Sequence, residues 1–135
     1  MHIKSTVVSL PVQDLDKTLI FYKNVFGLRD LQAEEGIIAI ELPSLSLFMI
    51  EVSAFEKYSR KAGLGVQLPN KNAGIILSCA LSSKEDVDAA QENARKFGGS
   101  ARSKACVDEA YGGYMVYIAD PDGHLWELVH PPQKG

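Results

Sequence analysis

Glu127 is the side chain whose setting most invites chemistry. In the segment from Tyr114 to His130, YMVYIADPDGHLWELVH, it lies between Leu125 and Val129 at the two-residue spacing by which a β-strand puts side chains on one face. His124, Trp126, Leu128 and His130 take the other parity. A carboxylate among aliphatic neighbours is partly desolvated and costly to leave unpaired, so it requires a partner. The sequence leaves three kinds open: a metal ion, nearby backbone or arginine groups, or the amine or hydroxyl of a ligand. A zinc or iron site normally needs three protein ligands. His124 and His130 project from the opposite face, and His2 precedes the first strand. Both later histidines flank turns, where surface positions are expected.

Other reactive groups have weaker settings. Ser9 and Ser78 stand without a Ser-His-Asp context, which argues against a nucleophile. Cys79 and Cys106 form no CxxC or other ligand spacing, so neither a structural zinc nor a disulfide framework is expected. The Asp120-Pro-Asp-Gly123 segment lacks the further acidic ligands of a calcium loop and is expected to be a turn.

The elements that must position these groups follow from periodicity. Val8, Leu10 and Val12 alternate with Val7, Ser9, Pro11 and Gln13, which predicts a strand at an edge, because Pro11 has no N–H to give a ladder. Asp14 caps a helix through Leu15, Leu19, Tyr22, Val25 and Phe26, ended by Gly27. Strands are predicted at 29–32, 37–42 and 46–52. Residues 53–74 are polar, with a short helix at 55–61, and form a linker or lid. The first pattern then returns: a strand at 75–81, a helix capped by Ser83 with the stripe Val87, Ala90, Ala94 and Phe97, and strands at 101–107, 114–119 and 124–129. The chain is thus a βαβββ unit written twice, over 1–52 and 75–135, within one compact α+β domain.

Aligning the turns at Pro43 and Pro121 sets Phe48 against Trp126 and Met49 against Glu127. Aligning the helix caps Asp14 and Ser83 sets Val7 against Ile76. Val7, Met49, Ile76 and Glu127 are therefore expected on the face away from the helices, with Trp126, Phe48 and Ile118 in the core. Ser9 and Ser78 match across the repeat and share that outer face. Met115 and Tyr117 have the parity that excludes Ile118, which makes them expected cavity walls.

With 135 residues, 46% of them hydrophobic, the chain can bury a substantial core. Its formal charge of -3 comes from interspersed acidic and basic residues, so nucleic acid is not an expected partner. No apolar run approaches membrane-spanning length, and Met1-His-Ile-Lys4 lacks the features of a signal peptide. The expected compartment is the cytoplasm.

The stretches VVSLPVQDLDKTLIFYKNVFGL and YIADPDGHLWELV closely resemble the vicinal oxygen chelate superfamily, the group of glyoxalases, extradiol dioxygenases, fosfomycin-resistance enzymes and bleomycin-resistance proteins. The resemblance implies a glyoxalase-like fold: two tandem βαβββ modules forming a curled mixed sheet around a cleft, usually completed in a homodimer. In the metal-dependent members it implies a divalent ion held from the first and last strand of each module. Those positions fall on Val7, Met49, Ile76 and Glu127, of which three offer no hard oxygen or imidazole. A register slip could bring Glu51 forward in place of Met49.

The expectation is therefore a metal-independent, cofactor-free protein that binds or sequesters a small organic ligand. Its cleft would be lined by Val7, Ser9, Leu47, Met49, Ile76, Ser78, Met115, Tyr117, Leu125 and Glu127, with 53–74 as lid. The rival is a glyoxalase-type lyase or isomerase using one divalent ion on Glu127 and Glu51, with a further ligand from the dimer mate or the linker.

Overall fold

A computed structural model describes residues 1–132; the final three residues of the expected second module, 133–135, lie outside it. The first sheet has strand order β1-β4-β3-β2, built from β1 (Val7–Val12), β2 (Ala33–Glu34), β3 (Ile37–Leu42) and β4 (Leu45–Glu51). β1 runs parallel to β4 and antiparallel pairing joins the rest. Pro11 sits in β1 at the edge of this sheet, where its missing N–H leaves no ladder bond unmade. Between β1 and β2 lies α1 (Leu15–Val25), whose cap residue Asp14 accepts the Lys17 N–H at 3.1 Å.

The second half repeats the plan. β5 (Ile76–Ala80) is parallel to β9 (Leu125–His130), and β8 (Tyr114–Ala119) is antiparallel to β9. Two short strands, β6 (Ser100–Ala101) and β7 (Cys106–Val107), both pair with β8. Helix α3 (Lys84–Lys96) starts at Ser83, whose hydroxyl accepts the Asp86 N–H at 3.1 Å. Among the described residues the fold is α+β, with two mixed sheets and no closed barrel.

One core joins the halves. Leu10, Val12, Ile38, Leu47 and Met49 pack in the same cluster as Val87, Val116, Ile118, Trp126 and Leu128. Helix α1 bridges them: the Tyr22 and Phe26 rings lie 6.0 and 4.6 Å from that of Trp126. Gly99 faces both Phe21 and the Ala119 carbonyl so closely that any Cβ would collide with them. Each sheet buries one face in this core and turns the other outward. Among the described residues no helix is long and apolar enough to cross a membrane.

The structure moves several expected elements. The strand at 29–32 is absent, and pairing begins only at Ala33. The linker helix starts directly off β4 as α2 (Val52–Ser59) and ends in a 3₁₀ turn at Arg60–Ala62, with Gly63 at φ 75° closing it. The expected strand at 101–107 is split. Ser103 Oγ accepts the Tyr117 N–H at 2.9 Å, so a side chain replaces the backbone partner at the break.

The largest correction concerns register. The first hairpin turns on two residues, Pro43 and Ser44, between the paired Leu42 and Leu45. In the second, Asp120 N–H donates to the His124 carbonyl at 3.0 Å, which leaves three residues, Pro121 to Gly123, in the loop. One extra residue inverts parity, so aligning the prolines exchanges the faces of β4. Leu47 and Met49 are fully buried beneath the helices and do not line the outer face. Phe48, expected in the core, is half-buried on that outer face.

Candidate functional site

Across the outer face of the second sheet, three polar side chains fall in one row because their strands are in register there: Ser78 of β5 opposite Glu127 of β9, and Glu127 opposite Tyr117 of β8. Ser78 Oγ donates to Glu127 Oε1 at 3.1 Å, and the Tyr117 hydroxyl donates to Oε2 at 2.6 Å. Both carboxylate oxygens therefore have a neutral donor, which is the partner that the aliphatic setting demands. The bond to Glu127 is the main influence holding the Tyr117 phenol above its ordinary pKa, with burial and the Glu127 and Asp108 charges adding to it.

Around this row lie Ile76, Leu125, Met115 and Val129, on the same parity. Ile76 is exposed and Met115 is buried. In the first sheet the corresponding row has no carboxylate: Ser9 stands opposite Phe48, as Ser78 stands opposite Glu127. Val7, also outward, stands opposite Ser46, whose hydroxyl donates to Glu41 Oε2 at 2.6 Å. Sequence reasoning missed Glu41; its place beside Ser46 comes from the hairpin pairing.

The outer face opens into two clefts. One of about 750 Å³ is walled by Ile76, Tyr117, Leu125 and Arg102, with Lys71 above them. The other, about 560 Å³, lies between β1 and the end of the connection, against Ser9, Pro11, Phe55 and His124. The segment from Pro69 to Ala73 borders both.

Behind the clefts is a polar clasp that sequence reasoning took for an ordinary turn. Asp120 Oδ2 accepts the Tyr22 hydroxyl at 2.7 Å, while Oδ1 accepts the N–H groups of Asp122 and His124 at 3.0 and 2.9 Å. Asp122 Oδ1 accepts the Gln13 backbone N–H at 3.0 Å. His124, expected at the surface, is buried, and its Nε2 donates to the Pro11 carbonyl at 2.7 Å. His130 is half-buried, with Nδ1 donating to the Leu81 carbonyl at 3.1 Å. Neither imidazole shares the Glu127 face. Burial raises the pKa of Asp120, against the pull of His124 and the Tyr22 bond.

A family model described as the Glyoxalase/Bleomycin resistance protein/Dioxygenase superfamily matches residues 2–128. The chain belongs to this superfamily. It is similar to the lactoylglutathione lyase GLX1 of Arabidopsis thaliana, at 29% identity over 128 residues, covering 87% of this chain. The chain spans only 41% of that relative's length. Two solved structures share its fold at a TM-score of 0.80: a hypothetical protein, SA1046, of S. aureus, 24% identical over 96% of this chain and 95% of that one, and a glyoxalase-related enzyme of Fulvimarina pelagi, 25% identical over 95% and 88%.

The superfamily's divalent-ion site can be tested against these residues. In the register that the structure fixes, its positions are Val7, Phe48, Ile76 and Glu127, and only the last carries a donor. Among the described residues no three His, Cys, Asp or Glu side chains come together as a possible metal site. Glu51 ends β4 and is bound to Ser53 at the start of α2. The Ser53 hydroxyl is the main cause holding its carboxyl below the usual glutamate value. The donor set of a single chain does not fit the ion.

Proposed function

We propose that this chain is a metal-independent member of the superfamily that binds or sequesters a small organic molecule, working as a homodimer in which a second copy covers the outer sheet face. One observation carries the reading. The sole donor in the four expected ligand positions, Glu127, has each oxygen engaged by a hydroxyl on its own sheet. The remaining positions are aliphatic or aromatic, suited to an apolar ligand body. Two of them, Val7 and Ile76, are exposed, and Ile75 adds exposed aliphatic area, which supports a covering partner.

The second reading is a lyase or isomerase of the lactoylglutathione type, favoured by the 29% identity to the Arabidopsis protein. It requires donors that one chain lacks, supplied across a dimer. Elemental analysis of the purified protein, with thermal melts in nickel, zinc, manganese and magnesium, separates the two. Substoichiometric metal and melts unmoved by any of the four fit the binder. A stoichiometric ion whose retention is lost in Glu127→Gln would replace it with the lyase.

A further inference from the structure

Resting on the reading of the chain as a small-molecule binder, we propose that the larger cleft takes an organic anion. Its acidic group would meet Arg102 and Lys71, and its apolar body would lie along Ile76, Leu125 and the ring of Tyr117. The cleft's volume of about 750 Å³ falls within the ~300–1,000 Å³ typical of small-molecule sites.

The charges decide the ligand class. The whole chain is acidic, with 17 Asp and Glu against 14 Lys and Arg, yet the exposed charged groups bordering this cleft are both cations. Asp120 and Asp122 also border it, but they are only 3% and 8% exposed. Asp120 bonds inward through both oxygens, to Tyr22 and to the His124 N–H, and Asp122 bonds inward through Oδ1, to Gln13. Glu127 has both oxygens occupied by Ser78 and Tyr117 and does not border the cleft. Among the described residues the one ion pair is Arg60 with Glu56, so neither Arg102 nor Lys71 is neutralised by a carboxylate.

Backbone geometry brings both cations to the cleft. The Arg102 N–H donates to the Tyr117 carbonyl at 2.7 Å, which ties the arginine to the strand whose ring forms the wall. Lys71 has φ 40°, a conformation uncommon outside glycine, at the tip of a turn closed by the Asn70–Asn72 bridge. The arginine's planar fork of N–H donors matches an oxyanion with two oxygens, and the lysine supplies a second charge. The asparagine amides on the same turn add neutral donors.

Benzoate and its uncharged counterpart benzamide test the assignment. Each is titrated into the isotopically labelled full chain at fixed ionic strength, with amide resonances as the readout. Benzoate is expected to shift Arg102, Tyr117 and Leu125 and to bind about tenfold more tightly than benzamide. Arg102→Gln and Lys71→Gln should each weaken benzoate roughly two- to fivefold, as exposed charge pairs do. The double variant should bring it down to the benzamide level. Both side chains are exposed, so unchanged spectra elsewhere will certify the fold of the variants. Equal binding of benzamide, or benzoate binding unchanged in the double variant, overturns the anion assignment and leaves the binder intact. Absence of shifts with either probe also overturns it. The binder itself falls only to the metal measurements above.

Discussion

Tyr22 and Asp120 are 98 positions apart in the chain and meet in its interior, the phenol donating to the carboxylate at 2.7 Å. The same phenol oxygen accepts the Trp126 indole N–H at 3.1 Å. The first helix is thereby tied to the turn and the last strand of the second half. Because the Glu127 row is built on that last strand, the clasp fixes the ground on which the site stands.

Tyr22→Phe should be costly although the ring is kept. It strips the Asp120 carboxylate and the Trp126 N–H of a partner at once, in a place without exposure. Leaving buried polar groups unsatisfied costs roughly 1–3 kcal/mol each, so a loss of about 2–4 kcal/mol is expected in urea denaturation. A loss below about 0.5 kcal/mol, the low end of one hydrogen bond's net worth, would show that the two Tyr22 bonds do not hold the clasp.

Asp120 should give stability a distinctive pH dependence. Burial raises its folded pKa, so the folded protein holds this proton more firmly than the unfolded chain does. Its contribution is fully present below the ordinary aspartate value of about 3.9 and is lost as pH rises through the raised one. The groups facing it are Tyr22, Asp122 and His124. Relative to Asp120→Asn, which does not titrate, the wild type should lose stability across that window. A gap between the two proteins that is flat with pH would contradict this.

Tyr117 reports on Glu127. Its phenol is held up first by the hydrogen bond to that carboxylate, so Glu127→Gln should lower its pKa toward the ordinary value near ~10. Ultraviolet titration of both proteins, each against its Tyr117→Phe counterpart, isolates the one phenol among five tyrosines. An unchanged midpoint would mean that the bond does not persist in solution.

The register of β4 can be read from a pair of substitutions. Met49→Glu buries a carboxylate where nothing is exposed, with an expected loss of at least about 3 kcal/mol or failure to fold. Phe48→Glu, on the half-buried outer face, should cost on the order of 1 kcal/mol. Thermal melts that reverse this order would restore the parity expected from the prolines.

Much of the fold was legible because it rests on local periodicity. Leu10 and Val12 beside Asp14, and Val87, Ala90 and Ala94 behind Ser83, announce their elements through alternation and capping. The outward parity of Ser78, Tyr117 and Glu127 could be read the same way. Leu47 and Met49 could not, because strand parity in the first half depends on a hairpin loop one residue shorter than its counterpart. Nor could His124, whose burial depends on the Pro11 carbonyl 113 positions away.

From the sequence alone came the duplicated βαβββ plan, the helix caps and the isolation of Glu127 among aliphatic residues, since each depends on neighbours a few positions apart. Which hydroxyls hold Glu127, which face Met49 takes, and the pairing of Arg102 with Lys71 over one cleft were decided by tertiary structure. Those relationships join strands and loops that are distant in the chain, and only packing around the shared core sets where they meet.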